Sequence, residues 1–265
     1  MPASVSPPGP PRAPAPGRDR HGGPGGVSRF RAAPVLLALA TAKEYRAALS
    51  PLGAPAPPLP GRATPWRRGG RDFLVLVTGV GPVAAAMAVG RAIGEARGEL
   101  AGVVNLGICG SFDLAMAPLG AVTATTAAIF PEYGLRRDEE VDARGIAFPQ
   151  AVIDGCDVYD RLALDPAGAA TAMGLPLPEG VVTGAGLTVA GVTASSAREA
   201  ALRAAYAPLT EAMEGFGAAL AAASAGLPFL ELRSVSNRVG ARPPDGWDLP
   251  GAFAALGRTV AILLG

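Results

Sequence analysis

The stretch "EAMEGFGAALAAASAGLPFLELRSVSN", residues 211 to 237, reads as a helix and a buried strand with an acid near its start, Glu214, and an amide at its end, Asn237. An ionised carboxylate accepts hydrogen bonds strongly, and a primary amide donates two. Two glycine-rich turns accompany them. In "TGVGPVAAAMAVG", Gly79 and Gly81 let backbone N–H groups approach a ligand and Pro82 opens a helix. In "NLGICGSFD", Gly107 and Cys109 follow another apolar run. Taken singly, each feature also has a plain structural use: glycines permit turns, Asn ends strands, and acids favour first helical turns. His21, the sole histidine, lies in "RDRHGGPGG", which has no periodicity to fix it in a packed site. Catalysis by a histidine, including any Ser/His/Asp triad, is not expected. Cys109 and Cys156 lack the spacing of a zinc or redox motif, and no histidine stands near Cys109 to make a thiolate. Its thiol reads as buried and inert, and a reducing cytoplasm fits both cysteines.

The elements that must position these residues alternate between short apolar runs and Ala-rich helical stretches, the order of a largely parallel or mixed sheet covered by helices. Strands are expected at 35–40, 72–79, 102–107, 121–130, 180–184, 187–193 and 229–236, and helices at 42–49, 82–97, 196–206, 211–225 and 249–264. "SPLGAPAPPLPGRATP" and "PEYGLRRDEEVDARG" read as loops, and no internal repeat is present. In such sheets ligands collect at the carboxyl ends of strands, which is where the two glycine turns and Asn237 fall.

With 265 residues and 49% hydrophobic content, the chain can bury the core of one α/β domain. Its formal net charge of +1 supplies no basic field for nucleic acid or an anionic membrane. No run approaches the roughly 20 apolar residues that span a bilayer. Residues 1–33, rich in Pro, Gly and Arg, cannot form a core and are expected to be a disordered tail. Arginines before "APVLLALATA" imitate an export signal, but the run is short and serves as a first strand, so folding should begin near Pro34.

Together, "ATAKE", "TGVGPVAAA", "NLGICGSF", "EAMEGFGAALAAASAGLPFLELRSVSN" and "VGARPPDGWDLPGA" resemble the purine nucleoside phosphorylase and nucleosidase superfamily, and within it the futalosine hydrolases. The resemblance runs from about residue 35 to the C-terminus. It implies a three-layer α/β/α sandwich with a central mixed sheet, a single domain over 34–265, and cleavage of an N-glycosidic bond with no cofactor or metal. On it, Glu44 activates water, Glu214 binds ribose hydroxyls, Met213 packs on the sugar, and Asn237 donates to a 6-oxopurine. Gly79, Gly107, Cys109, Leu187 and Ser236 fall at substrate-lining positions. Gly186 and Leu187 stand where relatives usually have an aromatic ring against the base. Arg136, Arg137, Arg238 and Arg242 are candidates for the distal carboxylate of futalosine. Lys43 has no arginine cluster around it to hold phosphate, which favours hydrolysis over phosphorolysis. A homo-oligomer acting on a purine nucleoside is implied. A phosphorylase, a methylthioadenosine-type nucleosidase and an inactive nucleoside-binding protein are the alternatives.

Overall fold

The computed structural model describes residues 32–97, 99–138, 140–243 and 245–265. Nearly all of the expected tail, residues 1–31, lies outside them. In chain order the elements begin β1 Val35–Leu39, α1 Ala42–Ala48, β2 Ala63–Arg68, β3 Arg71–Val77, α2 Pro82–Glu95, β4 Gly102–Ser111 and β5 Val122–Ile129. Short strands follow: β6 Leu135–Arg137, β7 Glu140–Asp142, β8 Ala151–Ile153, β9 Cys156–Val158 and β10 Arg161–Ala163. The chain closes with α3 Pro166–Ala172, β11 Val182–Thr188, α4 Ser196–Tyr206, β12 Thr210–Ala212, α5 Gly215–Ser224, β13 Phe229–Arg238 and α6 Leu249–Leu264.

The apolar runs dictate this arrangement. VLLAL of β1 is buried along its whole length and pairs in parallel with β3 and β4, as a strand covered on both faces must be. Its Leu36 and Ala38 meet α2 and α5, whose Ala85, Ala88, Val89, Ala218 and Ala219 are buried. Leu37 and Leu39 meet the other layer, with Tyr45 of α1, Met173 beyond α3, and Leu256 and Val260 of α6. The sheet is therefore mixed and sandwiched between two helical layers, as the resemblance implies.

Several expectations are corrected. The separate strands at 180–184 and 187–193 are one strand, β11, and 189–193 is irregular. The helix expected at 211–225 starts only at Gly215. Thr210–Ala212 instead forms β12, because it fills the space between β4 and β11 and satisfies backbone groups of both. Of the two segments read as loops, the first ends in the opening residues of β2 and the second contains the β6–β7 hairpin.

Two topological facts build the site. First, β13 pairs with β4 over Val103–Ser111 and also with β5, so β4, β13, β5, β11 and β12 close into a ring. Second, with β13 along one edge of β4, β1 and β12 must share the other edge. β1 covers Gly102–Leu106 and β12 covers Gly110–Ser111. The edge at residues 107–109 is left open to side chains and ligand, a window in the sheet.

Helix α5 is held against the start of α2 by a backbone contact. A Cβ on Gly217 would fall inside contact distance of the Pro82 carbonyl oxygen. Overpacking costs about 1–3 kcal/mol, more than the roughly 1 kcal/mol that alanine returns in helix propensity. Gly217→Ala should thus lower the melting temperature by several degrees, and an unchanged or higher value in a thermal melt would contradict this packing.

Candidate active site

Glu44 enters the window from α1. It is the third helical residue after Thr41, and the pair forms a capping box: the Thr41 hydroxyl accepts from the Glu44 N–H, and Glu44 Oε2 accepts from the Thr41 N–H at 2.9 Å and hydroxyl at 2.7 Å. The second oxygen is spent elsewhere. Glu44 Oε1 accepts from the Ile108 N–H at 3.1 Å, on the open edge of β4. Only 5% of the residue is exposed. An ordinary helix-capping acid would be solvated on one side, and this one is not. Burial raises the carboxyl pKa of Glu44, against the opposing pull of Arg233.

Arg233 is the centre of the cluster and was not singled out from the sequence. Its Nε donates to Glu231 Oε1 at 2.9 Å, Nη1 to Glu214 Oε2 at 3.2 Å, and Nη2 to Asn105 Oδ1 at 2.6 Å. Burial alone would lower its pKa. The attraction of Glu231, Glu214 and Glu44 outweighs that and holds it above the usual guanidinium value. A signal for this set does exist. Asn105 in "GVVNLG" and Glu231 and Arg233 in "FLELRS" alternate with leucines and valines, so they share one face of paired strands. Gly107 lies opposite Arg233, and a Cβ there would stand 2.7 Å from Glu44 Oε1 and collide with Arg233 Nη1. Gly107 thus admits the two charged groups from inside β4, which runs on to Ser111, so the turn expected at "NLGICGSFD" is strand instead.

Glu214 ends β12's connection and stands at the N-terminus of α5. Its Oε1 accepts from the Gly81 N–H at 3.2 Å, so the α2 turn orients it, with Gly79 in the left-handed region at φ 88°. Each carboxylate oxygen keeps an unfilled lone-pair direction. Met213, next to it, is partly buried and packs against the apolar cluster that includes Leu187, Ile129 and Val239.

Asn237 lies on the far side of the window. A β-bulge between Val235 and Asn237 sets it opposite Gly110, where a Cβ would meet its Nδ2 at 3.0 Å. Its Oδ1 lies 2.8 Å from the Ser236 hydroxyl, and its Nδ2 donates to the Arg238 carbonyl at 2.9 Å. Ser236 also reaches the Cys109 carbonyl at 3.1 Å, so it orients the amide. The Cys109 side chain instead packs with Ala117, Leu209 and Val235, and burial pushes its thiol up to about 12. It contributes a carbonyl and apolar bulk, not a nucleophile. Leu187 is 1% exposed, in the cluster that also holds Phe112 and Val239.

The sequence-derived Glu44 and Glu214 thus lie around one guanidinium, Glu214 bonded to it at 3.2 Å and Glu44 within its field, while Asn237 and Leu187 lie on the other face with Ser236 bonded to the amide. Of the four arginines considered, Arg136 lines a separate cleft of about 800 Å³ with Glu132 and Arg198. Arg137 is exposed in the β6–β7 hairpin. Arg238 lies 3.9 Å from Glu199, and Arg242 donates to the Val192 carbonyl at 3.4 Å.

The chain is similar to known proteins. The family model described as phosphorylase superfamily matches residues 61–263. A futalosine hydrolase from Thermus thermophilus is 31% identical over 221 residues, 82% of this chain and 93% of that protein. Futalosine hydrolases from Acidothermus cellulolyticus and Streptomyces coelicolor are 48% and 40% identical over 83 and 132 residues, or 31% and 41% of this chain. The chain spans only 34% and 56% of their respective lengths. A mutant of the Helicobacter pylori MTAN, solved with 5′-methylthioadenosine in its active site, superposes with a TM-score of 0.67 at 16% identity, over 86% of this chain and 95% of that one. The matched span carries the sheet from β2 onward together with Glu214, Arg233 and Asn237, and the chain belongs to the phosphorylase superfamily.

Proposed function

We propose that the protein is a nucleosidase that hydrolyses the N-glycosidic bond of futalosine, releasing hypoxanthine and dehypoxanthine futalosine in menaquinone biosynthesis. The observation that carries this reading is the convergence of Glu44 and Glu214 on Arg233 at the open edge of β4. The relatives named futalosine hydrolase support the choice of substrate.

In this reading the free lone pairs of Glu214 accept the ribose 2′ and 3′ hydroxyls, with Met213 against the sugar. Water held by Glu44 attacks C1′ on the face opposite the base, and its proton passes to the carboxylate. The C1′–N9 bond breaks, and its electron pair stays with hypoxanthine. The Asn237 amide meets the charge that builds at N7. Arg233 holds the neighbouring acids in place. Its nitrogens are spent on Glu231, Glu214 and Asn105, and Lys43 is exposed, so neither is poised to bind phosphate. That favours water as the nucleophile. No cofactor or metal is needed for this chemistry.

In the same reading the enzyme is cytoplasmic and a homo-oligomer, a dimer or larger. Support for the oligomer is an apolar surface of Val80, Val83 and Met87, 55%, 78% and 70% exposed, beside the Gly79 turn. Light scattering that returned a monomer at micromolar concentration would remove it.

Hypoxanthine release from futalosine should proceed equally with and without phosphate. A phosphate requirement would make the enzyme a phosphorylase, and binding without release would make it a binder. Glu44→Gln should lower kcat by about 10² or more and leave KM nearly unchanged. The general base must be ionised, and burial raises its pKa, so activity should climb with pH through a limb above the usual carboxylate range. A limb at or below that range would take Glu44 out of this role.

A further inference from the structure

Helix α5 begins at an acid that does not cap it. Glu214 is the N-cap residue, yet its side chain makes no capping bond. The first N–H groups of a helix have no partner within it, and the positive end of the helix draws an acid that stands there. Glu214 is turned the other way. Its Oε1 accepts from the Gly81 N–H and its Oε2 from Arg233 Nη1, each at 3.2 Å. Both distances lie at the long end of the N–H···O range. An unpaired N–H in its own helix would therefore compete for the carboxylate.

A residue from another strand removes that competitor. Thr188, the last residue of β11, accepts from the Phe216 N–H at its hydroxyl oxygen, at 2.7 Å. Phe216 is the second helical residue, one of the positions whose N–H an N-cap side chain normally serves. The ladder delivers the hydroxyl to that place. Thr188 pairs with Ala212 of β12, and the Val189 N–H donates to the Ala212 carbonyl at 3.0 Å, two residues before Glu214. Side chains alternate across a strand, so Leu187 points to the α4 face and Thr188 to the layer of α5. Both Thr188 and Phe216 are buried, with the Phe216 ring stacked on Phe130 at 5.8 Å, so the bond is shut away from solvent. Valine in place of Thr188 would fill the same space and leave a buried donor unpaired.

We infer that Thr188 is a positioning residue for Glu214: it caps α5 in the acid's stead and so leaves the carboxylate on Arg233 and Gly81 with lone pairs open to a ligand. The consequence for substrate rests on the nucleosidase reading, in which those lone pairs hold the ribose hydroxyls. Without the threonine hydroxyl, the Phe216 N–H pulls the carboxylate back onto its own helix. The substrate then loses the contact to its 2′ hydroxyl.

The test compares Thr188→Val, which deletes the acceptor, with Thr188→Ser, which keeps it. Kinetics on futalosine and its 2′-deoxy analogue are measured for the full chain, with a crystal structure of each unliganded variant. Thr188→Val should lose about tenfold to a hundredfold in kcat/KM on futalosine and far less on the 2′-deoxy analogue. Its Glu214 carboxylate should lie on the Phe216 N–H. Thr188→Ser should keep the parent's ratio between the two substrates and the parent's carboxylate position. Thr188→Ala carries the same expectation as valine should that variant not fold. An equal loss on both substrates, the mark of a merely structural role, would overturn the inference. So would a carboxylate that stays on Arg233 and Gly81, or a serine variant that behaves like the valine one. A carboxylate that swings in a protein whose parent fails to cleave futalosine would leave the capping role standing and sink the proposed reaction.

Discussion

One buried guanidinium organises the molecule's chemistry. Glu214 and Glu231 sit within hydrogen-bonding reach of Arg233, with 2–7% of the three side chains exposed, and Glu44 feels the same charge. Taking an acid out of water costs several kcal/mol, recovered only where geometry and further hydrogen bonds are good. Here Asn105, Gly81, Ile108 and Thr41 supply those bonds. The cluster is not an efficient way to gain stability. What it achieves is to fix two carboxylates, from α1 and from the start of α5, at defined places around a gap in the sheet.

That gap is a consequence of strand lengths. β4 has ten residues and β1 five, and β12 returns on the same edge only at Gly110. A ligand in the window is met by groups from both faces of the sheet. Asn105, Glu231 and Arg233 belong to the face shared with α2 and α5, Glu44 reaches in from α1 of the other layer, and Leu187 and Asn237 belong to the face toward α4. The bulge before Asn237 is what divides them. In an unbroken strand, residues 233 and 237 would share a face, and the extra residue Ser236 carries Asn237 to the other one.

Much of this was legible in the sequence. β1, β3, β5 and β13 follow apolar runs, and Glu44, Glu214 and Asn237 stand at the strand ends where ligands gather. What escaped was whatever depends on partners distant in the chain. "TEA" has no intrinsic claim to be a strand, and becomes one because β4 and β11 leave backbone groups for it to pair with. Arg233 and Glu231 were visible as an alternating pair inside a leucine-rich strand, but their meaning needs Asn105 and Gly107 across the ladder. A bulge leaves no mark in composition at all, so the face on which Asn237 stands could not be read in advance.

Whether the Arg233 cluster holds the reacting sugar at the open edge of β4 would be decided by a crystal structure of the Glu44→Gln variant with futalosine bound. Ribose hydroxyls are expected within hydrogen-bond distance of Glu214, with C1′ facing residue 44 across a water and Arg233 still joined to Glu231 and Asn105. A nucleoside bound away from Glu214, for instance in the cleft lined by Arg136 and Arg198, would contradict that role for the cluster.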